Sequence, residues 1–286
     1  MIEELNYVDV PYLQDIIAYL PIEPDDEEDI INYINNITNV VAVNYKYEQY
    51  QFAYFGMHLL FMTYVYCTAW KIAQIEVDRY KDAIVFARPY NGRENDFKIE
   101  DADSIFVYSL MPEKDISKLF KIIELDNSQI SIISDLVDTR NDMAHASGKF
   151  YILNEESFEI KVNSIFTSIK NIHKHMYRPI RNWYGKVLLS FCKGEFEGYD
   201  DPKDIIVEQM IQSFNLSINE LLICNEMSVS NLISAHTGFK DKLKSFKKEV
   251  EKYCNESGYI QDWYFSGTGT GMGLKIWKRP IIIWIW

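Results

Sequence analysis

Apolar residues recur at spacings of three and four through most of the chain, a pattern that predicts helices rather than strands. Residues 8–20 read as a short amphipathic helix, broken by Pro21 and Pro24. The acidic run Asp25 to Asp29 suits the positive end of a helix dipole, and a helix is expected from there through Ile37. A long helix is expected from about Tyr47 to about Phe86. Pro89 to Asp103, with its Asn91-Gly92 turn, reads as a loop. Ser104 to Leu110 fits a short strand or a helix. Pro112 opens a helical region to about Leu125, and Asp126-Asn127-Ser128 supplies an N-cap for the helix that follows. Ile133, Val137, Arg140 and Ala144 share one face of that helix, and Gly148 is its natural stop. Residues 150–160 connect, with a short strand as one reading of Phe150 to Leu153. A basic helix spans about Ser157 to Tyr177, and Pro179 is a candidate kink into a second helix reaching Cys192. The acidic, glycine-bearing stretch 194–203 is a candidate domain boundary, dividing a bundle at 1–197 from an accessory region at 198–286. Helices are expected near 204–215, 217–226, 228–237 and 238–255. Gly258 to Phe265 and Leu274 to Trp286 look like strands around a glycine-rich loop. The expected class is mainly α, ending in a small β element.

Composition agrees with a packed helical protein. Apolar residues make up 48% of 286 and aromatics 15%, which is ample for a core, and the 12 glycines and 8 prolines leave room for long helices. Phe52 to Trp70 contains no Asp, Glu, Lys or Arg and is near membrane-spanning length. Its Gly56, His58, threonines and tyrosines favour a central helix buried on most faces, so no membrane partner is expected. His58 in that helix reads as a hydrogen-bonded core histidine. The four cysteines are far apart, which indicates neither a disulfide framework nor a metal site. The N-terminus lacks a basic start and apolar run, so a cytoplasmic location is expected.

Charge changes the picture. The net charge of −13 argues against broad nucleic-acid binding, but the charges are segregated. Met1 to Tyr45 holds ten acidic residues and no Lys or Arg, whereas Ile160 to Gly194 holds seven basic residues and no acid. Lys170, Lys174 and Arg178 fall at i, i+4 and i+8, one stripe along a helix. With His173, His175 and Arg181 they form a candidate RNA-phosphate track. The neutral alternatives are a solvated helix face or a dock for an acidic partner protein. His173 and His175 are two apart, so their rings diverge on a helix and no metal is expected. The lysines at 240, 242, 244, 247 and 248 are interleaved with acids and read as a solvated helix, the alternative being a helix-turn-helix-like nucleic-acid module with the helix before it. The glycine-rich stretch Ser266 to Gly273 fits no phosphate-loop pattern. The apolar end, Pro280 to Trp286, is expected to pair in a sheet or against a partner. The acidic first 45 residues, or an acidic partner protein, are candidates to cover the basic face.

The densest chemistry is Arg140-Asn141-Asp142-Met143-Ala144-His145. Asn141 and His145 are four apart and share a helical face, and Asp142 is three before His145. Arg140 lies on the apolar stripe, where a guanidinium needs a carboxylate, a carbonyl or a phosphate. These parts suit cleavage of RNA without a metal or other cofactor. The ribose 2′-OH is the nucleophile, histidine moves a proton near neutral pH, and arginine stabilises charge on phosphate oxygens. DNA lacks the 2′-OH and is not a substrate by this route.

The arrangement Arg140-Asn141-x3-His145 resembles the R-x4–6-H signature of HEPN domains. The resemblance implies an antiparallel helical bundle, often a homodimer with a composite site. It also implies metal-independent endoribonuclease activity in toxin–antitoxin or antiphage defence. Arg140 and His145 take the catalytic roles by resemblance, with Asn141 and Asp142 as support. The likeness is specific over about six residues, extends as helical architecture over roughly residues 1–195, and does not reach the C-terminal part. The alternative is a non-catalytic HEPN-like protein that binds RNA or a protein partner through residues 160–194.

Overall fold

The computed structural model describes residues 10–22, 29–86, 104–144 and 153–256. These are mainly helical, with no strand among them. The expected terminal strands, the glycine-rich loop, the Gly148 stop, the loop 89–103, and residues 150–152 of the short strand considered at Phe150–Leu153 all lie outside the described residues. So do most of the acidic residues before Tyr45, including 25–28.

In chain order the helices are α1 (Leu13–Ile17), α2 (Asp29–Lys46), α3 (Tyr50–Ile75), α4 (Val77–Ile84) and α5 (Glu113–Lys118). Then come α6 (Asn127–Ala144), α7 (Glu155–Lys193), α8 (Pro202–Asp204), α9 (Ile218–Glu226), α10 (Ser230–Ala235) and α11 (Lys240–Glu256). Short 3-10 turns at Ile105–Leu110 and Leu119–Ile123 flank α5, and α8 runs into a π-helical stretch, Ile205–Ser213.

Helix α3 is the axis of the fold. Its buried residues lie all around the helix, from Ala53 and Tyr54 to Lys71 and Ile72. Each large apolar side chain so buried contributes about 1.5–3 kcal/mol relative to exposure. Two of its threonines are satisfied within the helix: Thr63 and Thr68 donate their hydroxyls to the carbonyls of Leu59 and Tyr64, both at 2.9 Å. No helix among the described residues is long and apolar enough to cross a membrane. Most of the uncharged segment 52–70 is covered by neighbours, with Phe52 and Leu59 left exposed.

Helices α2, α3, α6 and α7 alternate in direction, and side-chain pairs fix their register. Gly56 of α3 faces Val41 of α2, and a Cβ built on Gly56 would come within 2.5 Å of a Val41 methyl. The glycine therefore sets how closely the two helices approach. Tyr50 and Tyr64 of α3 meet Phe158 and the Ile169 carbonyl of α7, so these two helices run parallel. Gln51 at the start of α3 donates to the Met143 carbonyl at the end of α6, 3.4 Å away, so α6 runs the other way.

Several boundaries differ from the sequence expectation. Helix α2 continues past Ile37 to Lys46 because Val41 packs fully buried against α3. The helix expected over 47–86 breaks at Glu76, whose backbone leaves helical geometry. Of the expected helix 8–20, residues 8 and 9 lie outside the described residues, and within 10–20 the helix covers Leu13–Ile17. Within Ser104 to Leu110, Ile105–Leu110 is a 3-10 helix capped by the Ser104 hydroxyl, which accepts from the Phe106 N–H. Helix α7 runs through Pro179 unbroken for 39 residues. Ile172, Met176, Ile180 and Tyr184, all buried, hold it on both sides of the proline. It ends at Gly194, which takes a left-handed conformation (φ 76°) that favours glycine.

The region beyond 198 packs on α7. Trp183 stacks on Phe214 at 3.7 Å, and Tyr184 and Phe191 meet Phe246. One continuous cluster of buried apolar side chains extends from Val10 to Cys254. A buried ion pair joins Lys71 of α3 to Glu220 of α9. Glu220 is also the N3 residue of a capping box with Ser217, accepting from the Ser217 backbone N–H at 2.8 Å.

Candidate functional site

Helix α6 begins as its sequence dictates. The Asp126 carboxylate accepts from the Gln129 N–H at 2.8 Å, and the Gln129 side chain accepts from the Asp126 N–H at 2.9 Å. That reciprocal cap satisfies donors the helix itself cannot. The same bonds, first the Gln129 N–H and then the Ser128 hydroxyl, hold the Asp126 carboxyl below its ordinary pKa. From that fixed start, Ile133, Leu136, Val137 and Met143 are buried and Arg140 arrives at the edge of the core.

Arg140 meets the acid its position demands. Its Nη2 donates to Oε2 of Glu113, in the first turn of α5, and the two side chains are 28% and 18% exposed. The Arg140 Nε is buried with no partner. Lys114, next in α5, pairs with Asp138 of α6, so a second ion pair ties the two helices. The same Glu113 Oε2 lies 3.6 Å from Nε2 of His58, a fully buried residue of α3. Tyr54, one turn before His58, is also fully buried, with its hydroxyl unpartnered. Three helices thus bring Tyr54, His58, Glu113 and Arg140 to one partly open place.

The electrostatics follow from burial and from one shared carboxylate. Burial pushes the His58 pKa down; Glu113 opposes this and Arg140 adds to it, and the result lies below the ordinary histidine value. Burial alone would raise Glu113, but His58 and then Arg140 outweigh it and hold the carboxyl below its ordinary value. Burial pushes the Tyr54 phenol up to about 12, with Arg140 opposing, so it stays protonated at neutral pH. At rest the place holds one guanidinium cation, one carboxylate and one neutral imidazole.

The other sequence-derived candidates are placed as follows. Asn141 is half-buried and Asp142 exposed, both in the last turn of α6 beside Arg140, while His145 lies outside the described residues. On α7, Lys170, Lys174 and Arg178 are exposed and Arg181 is half-buried. None of the four enters an ion pair among the described residues. Lys170 sits over the Phe166 ring at 4.5 Å. Arg181 lies over Tyr177 and donates to its hydroxyl at 2.8 Å. The two histidines leave this stripe. His173 turns inward, edge-on to Tyr19, with Nδ1 buried and unpartnered. His175 faces α6, with Nδ1 3.0 Å from the Ile123 carbonyl and Nε2 3.3 Å from the Gln129 amide. That contact puts the stripe level with the first turn of α6, roughly 16 Å along the axis from Arg140. No group of metal-ligating side chains occurs among the described residues.

The place of Arg140 on an apolar stripe calls for a partner but does not single out Glu113, which stands 27 residues earlier. The available signal was its place after Pro112, in the first turn of the helix preceding α6. His58 was legible only as a core residue; nothing in sequence ties it to Arg140. No family model, no curated protein and no solved structure matches the chain.

Proposed function

We propose that this chain is a metal-independent endoribonuclease of the HEPN type, with Arg140, Asn141 and His145 as its chemical centre. The observation that carries the reading is Arg140 itself: a cation at the core edge, fixed by Glu113 and still partly open to solvent, five residues before His145. In this reading His145 takes the proton from the ribose 2′-OH. The 2′-oxygen bonds to phosphorus, the bond to the 5′-oxygen breaks, and the His145 imidazolium returns a proton to that leaving oxygen. Arg140 stabilises the charge on the non-bridging oxygens. Asn141 and Asp142 position these groups. The products are a 2′,3′-cyclic phosphate and a 5′-hydroxyl. The exposed α7 stripe with its aromatic rings supports the RNA assignment, since single strands are held by cations and stacking surfaces. A homodimer, a cytoplasmic location, a role as toxin or antiphage effector and an acidic neutralising partner complete the proposal.

The deciding assay is incubation with total RNA in EDTA. Cleavage in EDTA that disappears in Arg140→Ala and His145→Ala supports the enzyme; cleavage that requires a divalent metal sinks the mechanism. Retained RNA binding without cleavage favours the second reading, a binding module working through Lys170, Lys174 and Arg178. For either reading, Lys170→Ala/Lys174→Ala/Arg178→Ala is expected to weaken RNA binding. It should also reduce the slope of log affinity against log salt by about 2, at roughly 0.7 per lost phosphate contact. An unchanged slope in filter binding at several salt concentrations would remove the stripe from the RNA path.

A further inference from the structure

We propose that His58 is a positioning and charge-compensating partner of Arg140: when a backbone oxyanion takes the guanidinium, Glu113 shifts its pairing to His58, which takes up one proton from solvent. The inference rests on the reading of Arg140 as the phosphate ligand.

Geometry supplies the first reason. Arg140 Nη2 and His58 Nε2 approach the same oxygen, Glu113 Oε2, one in hydrogen-bond contact and the other at 3.6 Å, just beyond it. Each is poised to gain what the other releases. Charge supplies the second. At rest, Arg140 and Glu113 sum to zero and His58 is neutral. A phosphodiester monoanion on Arg140 brings the sum to −1. In a place where His58 and Tyr54 are fully buried, an uncompensated charge is costly. One proton on the imidazole returns the sum to zero. The new N–H or the existing one then donates to the freed Glu113 carboxylate, which is stronger as a charge-assisted bond. The charged groups acting on His58 are Glu113 from α5 and Arg140 from α6; the Tyr54 phenol, one turn away on α3, remains protonated. The orphaned polar atoms agree with this site. Both His58 nitrogens and Arg140 Nε are buried without partners in the resting arrangement. His58 does not touch the substrate, because it is wholly enclosed. It acts through Glu113 and leaves the substrate proton to His145.

The test uses a 2′-O-methyl RNA oligonucleotide, a phosphodiester strand that cannot be cut by 2′-OH attack. Its binding to the full chain is followed by calorimetry from pH 5 to 8 in two buffers of different ionisation heat. Wild type is expected to take up more protons than His58→Gln, the difference approaching one per strand bound at this site. Wild-type affinity should fall by up to about tenfold per pH unit more than that of the variant as pH rises through the histidine range. Glu113→Gln is expected to lose the same proton uptake and to bind more tightly at the upper end of the range, since nothing competes for Arg140. It is partly exposed and decides the matter if His58→Gln does not fold. Equal proton uptake in wild type, His58→Gln and Glu113→Gln overturns the proposal. Two mixed results separate it from the nuclease reading. Proton uptake that is lost in Arg140→Ala, with no RNA cleavage by wild type, keeps the His58 linkage and removes the enzyme. Arg140-dependent cleavage with equal proton uptake does the reverse.

Discussion

Replacing Lys71 with methionine is expected to lower the free energy of unfolding by about 3–5 kcal/mol. Lys71 and Glu220 are 1% and 3% exposed and are each other's charge partner across α3 and α9. Removing the ammonium leaves a carboxylate buried, with the Ser217 N–H at 2.8 Å as its remaining hydrogen bond. Desolvating an unpaired ion costs more than the packing of a methionine returns. The double variant Lys71→Met/Glu220→Gln should recover most of the loss, because the amide oxygen still accepts from Ser217 and no charge remains. Urea unfolding of the three proteins checks this. A Lys71→Met loss below about 1 kcal/mol, the range of exposed pairs, would mean that water reaches the pair.

In the proposed nuclease, Arg140→Ala is expected to reduce RNA cleavage by at least about 10²–10³-fold, the range for losing one donor that stabilises transition-state charge. Arg140→Lys should restore little. The guanidinium is held by Glu113 at rest and must then present a planar fork to phosphate, and an ammonium has no such fork. Both variants keep the α5–α6 link through Lys114 and Asp138, so their helix content should match wild type. A Lys variant that cuts at near wild-type rate would show that charge alone suffices and that the Glu113 contact is not a positioning contact. Loss of circular dichroism in Arg140→Ala would instead make the ion pair structural.

Helices whose signals are local were legible in the sequence. The Asp126 cap, the buried face of α6 and the uncharged centre of α3 each declare themselves within a few residues. Boundaries set by distant packing were not. Thr38, Asn39, Val40, Val41, Val43 and Asn44 are weak helix formers, so α2 read as ending early. It persists because Gly56, on the next helix, accepts Val41. Pro179 removes a backbone donor and reads as a break, yet the core on both sides holds α7 continuous. The candidate site divides the same way. Arg140 and its need for a partner followed from its place on an apolar stripe. That the partner is Glu113, and that Glu113 also faces His58, depends on how α3, α5 and α6 meet. The basic stripe survived as Lys170, Lys174 and Arg178, but helical spacing could not show that His173 is turned toward Tyr19.

The four cysteines give the fold an internal clock. All are buried, and burial raises every thiol, Cys67 and Cys254 to about 12, so none reacts readily while its surroundings stay closed. Cys67 lies in α3, whereas Cys192, Cys224 and Cys254 lie where α7, α9 and α11 meet. A thiol-reactive dye therefore measures opening, and it measures it at two places. If the helices beyond Gly194 move as one unit with the bundle, all four thiols are modified at a single rate that follows global unfolding. If they detach first, three react while Cys67 stays protected.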